Sequence, residues 1–213
     1  MTENMSLSEL SGKEYLKILA SKAPAPGGGA ASAFLGAQGC ALAQMVCELT
    51  KGRKKYEDSQ ELAENSAREL ASLRESLLTL MDDDAQAYQS VMDVFAMPKQ
   101  SEEEIIYRNA AMEMALRECT KIPFRVMLLA EEGLQITSAL VGRTNANAAS
   151  DLGCAALDLC AAVQGAWLNV RVNTSSLNDR SFADQYEKDG QAVMDRAVLL
   201  AGRIFRAVSG DPA

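Results

Sequence analysis

Asp84 is the residue of this sequence best placed to move a proton, because it interrupts an apolar stripe. The stripe recurs at steps of three and four residues, which keeps its members on one face of a helix. Its members are Leu70, Leu73, Leu77, Leu80, Asp84, Tyr88, Val91 and Phe95. Burial raises the pKa of a carboxyl group, so this position suits a general acid or base. It equally suits a structural carboxylate that accepts a hydrogen bond from the end of a neighbouring helix.

Two further acids precede Asp84, and we expect them to play a different part. At ~100° per residue of α-helix, Asp83 and Asp82 lie about 100° and about 200° around the helix from Asp84. Water can therefore solvate both of these side chains, whereas it cannot easily solvate Asp84, which is our candidate for the chemistry.

The composition limits which groups can assist the chemistry. The 213 residues include no histidine, which excludes a Ser-His-Asp triad, a Cys-His dyad and a histidine-ligated zinc. Proton transfer must fall to a carboxylate, Lys, Tyr, Cys or water. A formal net charge of -8 argues against generic binding to nucleic acid or to an anionic membrane. We predict neither of these partners and no metal site.

A glycine-rich loop, residues 24–29, offers backbone amides without side chains directly before a helix. Such amides let a flat or anionic ligand approach the backbone. The candidate binding residues in this loop are Pro26, Gly27, Gly28 and Gly29. The loop matches neither a Walker motif nor G-x-G-x-x-G, so a plain helix-entry loop is the alternative interpretation.

A cationic cluster and a pair of amides complete the candidates. The cluster consists of Lys51, Arg53, Lys54 and Lys55. It suits a carboxylate-rich tail of a ligand, and it equally suits a helix C-terminus, whose dipole cations complement. Asn169 and Asn173 share a helix face, where they can hydrogen-bond a heterocycle or bridge helices.

The elements that must position these residues are predicted to be helical throughout. Apolar residues recur at helical spacing, and no run alternates as strands do. A capping box at Ser101 with Glu104 begins a helix that Pro123 is expected to kink or interrupt, and Pro98 ends the preceding helix. We predict a single all-α domain over residues 1–213, a bundle of about five long helices with short helices attached. The long helices are expected at about 30–50, 59–97, 101–141, 148–172 and 181–208.

Cysteine usage and the apolar segments bear on location. The five cysteines form no C-x-x-C pair and mostly lie among Ala and Leu, which predicts buried, reduced thiols. The uncharged run 23–47 contains two prolines and five glycines, so we interpret it as a buried helix behind a loop rather than a membrane span. The N-terminus has no signal-peptide pattern, and we expect a cytoplasmic protein.

Several short motifs, taken in order, resemble the cyclodeaminase/cyclohydrolase family. They are Pro24-x-Pro26-Gly27-Gly28-Gly29 before an Ala/Gly helix, Gly52-Arg53-x-x-Tyr56, Asp82-x-Asp84-Ala85-x-Ala87-Tyr88, Pro98-Lys99, Ser150-Asp151-Leu152, Gly165-Ala166, Asn169-x-x-x-Asn173 and Asp179-x-x-Phe182. Their order and spacing, which cover nearly the whole chain, carry the resemblance. The family includes the cyclodeaminase domain of formiminotransferase-cyclodeaminase and free-standing methenyltetrahydrofolate cyclohydrolases.

The resemblance implies an all-helical homodimer that acts on one-carbon adducts of tetrahydrofolate, with Asp84 as the catalytic residue. It implies that folate, including polyglutamylated forms, is the substrate and that no separate cofactor is needed. The folate is expected near the glycine loop and the subunit interface, with Asn169 and Asn173 beside its rings. The resemblance also adds Tyr88 and Asn145 to the substrate-binding candidates. We hypothesise that the cationic cluster holds the glutamate tail.

Two reactions of this family suit a chain without histidine. In cyclodeamination, N10 attacks the N5-formimino carbon, and ammonia leaves to give 5,10-methenyltetrahydrofolate. In cyclohydrolysis, water attacks the methenyl carbon and 10-formyltetrahydrofolate forms. The resemblance leads us to expect the cyclodeaminase, with the cyclohydrolase as the alternative. A further alternative is a non-catalytic helical module that binds folate or a protein, which has no need of an ionisable group at Asp84.

Overall fold

Six α-helices and three short 3₁₀ turns form the secondary structure of residues 6–210, the part of the chain that the computed structural model describes. No strand occurs within this range. The helices are α1 (Gly12–Leu19), α2 (Gly28–Glu48), α3 (Gln60–Phe95), α4 (Glu102–Leu140), α5 (Ala149–Ser175) and α6 (Arg180–Ser209). The prediction of an all-α bundle with five long helices is confirmed.

Local sequence sets several of the helix ends. The Ser101 hydroxyl accepts a hydrogen bond from the backbone N–H of Glu104 at 3.2 Å, and the Glu104 carboxylate accepts one from the Ser101 backbone at 3.1 Å. This capping box satisfies two amides that a helix N-terminus otherwise leaves without partners. At the other end of the chain, Gly210 adopts a φ of 77° and closes α6.

Pro123 does not interrupt its helix, so of the two outcomes predicted there, a kink or an interruption, the interruption is excluded. α4 continues through the buried Pro123 from Glu102 to Leu140. Proline removes one backbone hydrogen bond and crowds the preceding turn. Packing of α4 against α3, α5 and α6 offsets this local cost, and sequence periodicity does not reveal such tertiary contacts.

α2 packs closely against both α3 and α5, because small residues line its buried side. α2 and α5 run antiparallel, since Gly28 lies beside Asn169 and Gly39 lies beside Ala155. A Cβ added at Gly39 would lie 2.7 Å from Cγ of Leu159, which leaves no room for any side chain there. The glycines of α2 therefore permit a helix separation that larger residues would prevent.

One side of the α2–α5 pair remains uncovered. By length and composition both α2 and residues 146–175 could cross a membrane, yet about half of each is buried inside the bundle. Their outer residues form what we call the α2/α5 face. It consists of Ala31, Leu35, Gln38, Leu42 and Met45 from α2, and Leu157, Ala161, Gln164, Leu168 and Val172 from α5, all half-buried or exposed.

The expectation of buried thiols holds for part of the cysteine set. All five cysteines are free, with Cys40 and Cys47 buried, Cys119 and Cys160 half-buried, and Cys154 exposed. Burial raises the pKa of Cys40 to about 12. The prediction is wrong for Cys154, because its position in the helical repeat of α5 points outward next to the α2/α5 face.

Candidate active site

Asp84 lies where the N-terminus of α2 meets the middle of α3. Its Oδ2 accepts a hydrogen bond of 2.8 Å from the backbone N–H of Ala30, the third residue of α2. The carboxyl group therefore faces the positive end of the α2 dipole. Burial raises the pKa of Asp84, and the hydrogen bond from Ala30 opposes this effect without cancelling it. The group consequently keeps its proton to a higher pH than an exposed aspartate does.

Gly29 makes room for this carboxyl group. A Cβ added at Gly29 would lie 2.5 Å from Cγ and 2.6 Å from Oδ2 of Asp84, distances at which the atoms overlap. A Cβ at Gly28 would lie 3.3 Å from Nδ2 of Asn169, whereas one at Gly27 would meet no atom within 4 Å. The loop thus needs glycine for close approach at Gly29, to a smaller extent at Gly28, and not at Gly27.

A cavity of about 210 Å³ opens at this carboxyl group. It is lined by Pro24, Ala25, Gly27, Gly28, Gly29, Asp84, Tyr88, Cys119, Asn169 and Asn173. The fold therefore brings together predicted residues from the glycine loop, α3 and α5. Pro26, also a candidate, is buried beneath the loop rather than part of the lining.

The two asparagines are held in fixed orientations at the cavity. Nδ2 of Asn169 donates to the carbonyl oxygen of Gly165 at 2.8 Å, and Nδ2 of Asn173 donates to that of Cys119 at 2.6 Å. One of the two N–H groups of each amide is used in this way, which leaves its Oδ1 as an acceptor and its second N–H as a donor for a ligand. This arrangement suits a heterocycle that carries N–H groups.

Sequence patterns gave no sign that Cys119 lines the same cavity. It lies on α4, where it continues an ordinary helical pattern, and only the packing of α4 against α5 brings it to Asn173. Burial and then the nearby Asp84 charge raise the pKa of its thiol to about 11. The Cys119 thiol therefore stays protonated near neutral pH, and it lines the cavity without acting as a nucleophile. Among residues 6–210, no group of three or more Cys, Asp or Glu residues could hold a metal ion.

The other binding candidates lie at the far end of α2. The helix has 21 residues, and at ~1.5 Å per residue it separates the glycine loop from Arg53, Lys54 and Lys55 by about 30 Å. Lys55 and Asn145 line a different cavity, of about 320 Å³. Within one chain, these four residues therefore do not share a site with Asp84.

Asn145 also stabilises the local structure at that end of α2. Its backbone N–H donates to the Thr50 hydroxyl at 3.0 Å, and its Oδ1 accepts from the backbone N–H of Asn147 at 3.2 Å. It therefore caps the short turn before α5 and ties this turn to the end of α2.

Asp82 is half-buried and binds the N-terminal segment, a role that the helical pattern did not predict. Its Oδ1 accepts the backbone N–H of Leu7 at 2.6 Å, and its Oδ2 accepts the hydroxyls of Ser6 at 2.5 Å and Ser8 at 2.8 Å. The segment before α1 crosses α3 here, a contact between residues about 75 positions apart that helical periodicity does not reveal. Asp82 therefore anchors the N-terminal segment.

A sequence model of the family described as formiminotransferase-cyclodeaminase matches residues 11–192. The chain belongs to this family. Asp84, the glycine loop and both cavity asparagines all lie within the matched range.

Individual relatives carry two different enzyme names. A methenyltetrahydrofolate cyclohydrolase of Methylorubrum extorquens is 36% identical, over 91% of this chain and 93% of its own length. The formimidoyltransferase-cyclodeaminase of Rattus norvegicus is 30% identical over 94% of this chain, which spans 37% of that longer protein. The crystal structure of a formiminotetrahydrofolate cyclodeaminase from Thermotoga maritima matches with a TM-score of 0.86 and 28% identity, covering 96% of this chain and 98% of the other.

These matches place the chain among enzymes of folate one-carbon chemistry. Its relatives are cyclodeaminases and cyclohydrolases, and the shared fold extends over nearly the full chain. The family prediction made from the motifs is confirmed.

Proposed function

We propose that this protein is a formiminotetrahydrofolate cyclodeaminase in which Asp84 acts as both general base and general acid. The observation that carries the proposal is the Asp84 carboxyl group, which faces the cavity with a raised pKa and is oriented by the N–H of Ala30. A carboxyl group that titrates closer to neutrality exchanges protons efficiently in both directions.

The reaction requires one proton to move twice. The formimino group enters the reaction protonated, as C=NH2+. The N10 lone pair forms a bond to the formimino carbon, the π pair of the C=N bond moves to the formimino nitrogen, and Oδ1 of ionised Asp84 takes the proton from N10. The bond between this carbon and the formimino nitrogen then breaks. The departing nitrogen takes the proton back from Asp84 and leaves as ammonia. Asp84 is ionised again at the end, and its negative charge stabilises the cationic methenyl product.

The remaining cavity residues suit the folate rings. Glycine backbone at residues 27–29 presents a surface without side chains to a flat ring, and Tyr88 lies one helical turn from Asp84 on α3. Oδ1 of Asn169 and Oδ1 of Asn173 are free to accept N–H groups of the pterin. In this assignment they orient the substrate and take no part in proton transfer.

Cyclohydrolase activity is the second candidate, and a specific observation favours it. The relative from Methylorubrum extorquens has nearly the same length as this chain, is 36% identical to it and is named a methenyltetrahydrofolate cyclohydrolase. In that reaction Asp84 would take a proton from the water that attacks the methenyl carbon. The bond from this carbon to N5 then breaks as N5 takes that proton from Asp84 and the hydroxyl of the adduct loses its own proton to water to become the formyl carbonyl, giving the 10-formyl product.

A paired assay tests both activities. Pure protein is mixed with 5-formiminotetrahydrofolate to follow growth of the methenyl absorbance, and separately with 5,10-methenyltetrahydrofolate to follow its loss above the spontaneous rate. Asp84→Asn should abolish the enzymatic signal and leave the helical circular dichroism unchanged, while Asp83→Asn serves as the matched control. An active Asp84→Asn protein would overturn the assignment of Asp84. Folate binding without either activity would favour the non-catalytic module.

We further propose that the protein is a cytoplasmic homodimer that buries the α2/α5 face. Soluble monomers rarely leave contiguous apolar patches larger than a few hundred Å² exposed. Leu157→Glu with Leu168→Glu should convert dimer to monomer in sedimentation analysis, because it places charges in the proposed interface. Leu199→Glu on α6, at a residue of similar exposure, is the control. A wild-type monomer would contradict the proposal.

A further inference from the structure

We propose that Tyr15 is a positioning residue of the Asp84 site, whose buried hydroxyl group directs its O–H bond towards the ionised carboxylate of Asp84 and stabilises it. This inference rests on the catalytic role of Asp84 in the proposed function. It adds a second residue that sets how tightly Asp84 holds its proton. Tyr15 is not part of the cavity lining, so it acts on the substrate only through Asp84.

The Tyr15 hydroxyl group is buried without a hydrogen-bond partner. Tyr15 is only 3% exposed. Its hydroxyl oxygen is the one fully buried side-chain oxygen or nitrogen within residues 6–210 that has no donor or acceptor in reach. A phenylalanine would fill nearly the same space without removing a hydroxyl group from water. The hydroxyl therefore costs folding free energy, and packing alone does not account for its presence.

Tyr15 lies beside the residues that hold Asp84 in place. Its ring packs on the ring of Phe34, with 5.2 Å between the two centroids. Phe34 follows Ala30 by about one turn of α2, and the backbone N–H of Ala30 donates to Asp84. On α3, Asp82 binds the short segment directly before α1. α1 is thereby held close to both helices at the place where the Asp84 carboxyl group is buried.

The charge of Asp84 acts on this hydroxyl group. Burial raises the pKa of Tyr15, and the negative charge of Asp84 raises it further. The hydroxyl group therefore keeps its proton near neutral pH, and towards an ionised carboxylate it can act only as a donor. Its O–H bond is free to rotate, and no acceptor competes for it in the described part of the chain. The bond consequently turns its positive end towards Asp84, and this stabilises the ionised form.

Few other titratable groups face Asp84. Tyr88 of α3 and Cys119 of α4 line the same cavity, and the thiol of Cys119 is neutral because its pKa is raised to about 11. The lining from the glycine loop and from α5 consists of backbone and asparagine amides, which do not titrate. Asp82, two residues earlier on α3, is bonded to the N-terminal segment. A change in the titration of Asp84 after substitution of Tyr15 can therefore be assigned to the lost hydroxyl group.

Nuclear magnetic resonance of the Asp84 carboxyl carbon tests the inference without any enzymatic activity. Carbon-13 is introduced at the aspartate side-chain carboxyl groups, and the Asp84 signal is the one missing from Asp84→Asn. Tyr15→Phe should raise the pKa of Asp84 by about one unit, a tenfold tighter hold on the proton, because the ionised form loses a donor. An Asp84 pKa that stays the same or falls in folded Tyr15→Phe protein would overturn the proposal.

Tyr186→Phe is the matched control. Tyr186 lies on α6, and its ring packs on Phe124 at 4.9 Å and on Phe182 at 4.4 Å between centroids. The substitution removes one hydroxyl group from a tyrosine that packs on phenylalanine, as Tyr15→Phe does. It should leave the Asp84 pKa unchanged. An equal shift in both variants would show a general effect of hydroxyl loss and would overturn the proposal.

Kinetics connect the measurement to the reaction. In Tyr15→Phe the acid limb of kcat/KM should move to higher pH by the same amount as the Asp84 pKa, while KM stays at the wild-type value because Tyr15 does not contact the substrate. A raised KM with an acid limb that does not move would indicate a structural role only and would overturn the proposal. If wild-type protein converts neither folate and Tyr15→Phe still shifts the Asp84 titration, the proposed function fails and the effect of Tyr15 on Asp84 stands.

Discussion

Gly29 lies so close to the carboxyl group of Asp84 that the two residues leave no space for a methyl group between them. This contact links the start of α2 to the middle of α3, 55 residues later in the chain. It makes the glycine loop and the proposed catalytic residue a single structural unit. The first prediction follows from this contact.

Gly29→Ala should lower kcat/KM by about 100-fold, because an added methyl group displaces the Asp84 carboxyl group and small misplacements of a catalytic group have effects of this size. Gly27→Ala should retain nearly full activity, since its added methyl group meets no atom within 4 Å. Steady-state kinetics of the two variants measure the difference. Equal losses would mean that the loop acts through its flexibility and not through this contact.

Asp84→Asn should stabilise the folded protein at neutral pH by about 1 kcal/mol, as often happens when a functional group held in an unfavourable environment is replaced. The pKa of Asp84 is raised on folding, so the folded state binds the proton more tightly than the unfolded state. Wild-type stability therefore falls as pH rises from the ordinary aspartate pKa through the raised one. The advantage of the variant should disappear below that range.

Urea unfolding at several pH values measures this effect. A purely structural carboxylate predicts the opposite result, a variant less stable than wild type at neutral pH.

The pH dependence of the reaction should report the same group. Because ionised Asp84 must accept a proton, kcat/KM should fall on the acid side with an apparent pKa above the ordinary value of 3.8. Asp84→Glu, if active, should shift this limb rather than remove it. An acid limb that stays in place in Asp84→Glu would assign the titration to another group.

Asp82→Ala should release the N-terminal segment from α3. Asp82 accepts hydrogen bonds from Ser6, Leu7 and Ser8, and all of them are lost together in the variant. We expect a loss of about 1–3 kcal/mol in unfolding free energy and faster hydrogen exchange before α1. Asp83→Ala makes the same change one residue away and should have little effect on either measurement.

Helix packing at α2 predicts opposite outcomes for two helical glycines. Gly39→Ala should destabilise the protein by about 1–3 kcal/mol, because the new methyl group overlaps Leu159. Gly202→Ala on α6 meets only the flexible end of Arg206, at 3.6 Å. It should stabilise the protein by about 0.5–1 kcal/mol through helix propensity. Thermal unfolding of both variants against wild type tests the pair.

Local signals in the sequence predicted much of the fold correctly. The capping box at Ser101, the stop before Pro98 and the helical recurrence of apolar residues all act within a few positions, and the helices lie close to the predicted ranges. An interruption at Pro123, one of the two expected outcomes, does not occur, because packing along the whole of α4 offsets the local effect of proline. The hydrogen bonds of Asp82 were not predicted, because its partners come from a distant segment.

The amino-acid sequence by itself determined the all-helical bundle, the family and the exceptional position of Asp84. Each of these depends on residue type and on spacing along one helix, which a linear pattern records. Tertiary structure alone decided which candidates meet. It brings Gly29, Asp84 and Asn173 together around one cavity and adds Cys119 to the lining. It keeps Lys54 of the same chain away from this cavity, because the length of α2 separates them. The physical reason is that contacts between helices depend on how side chains fit across an interface, and this fit has no period along the chain.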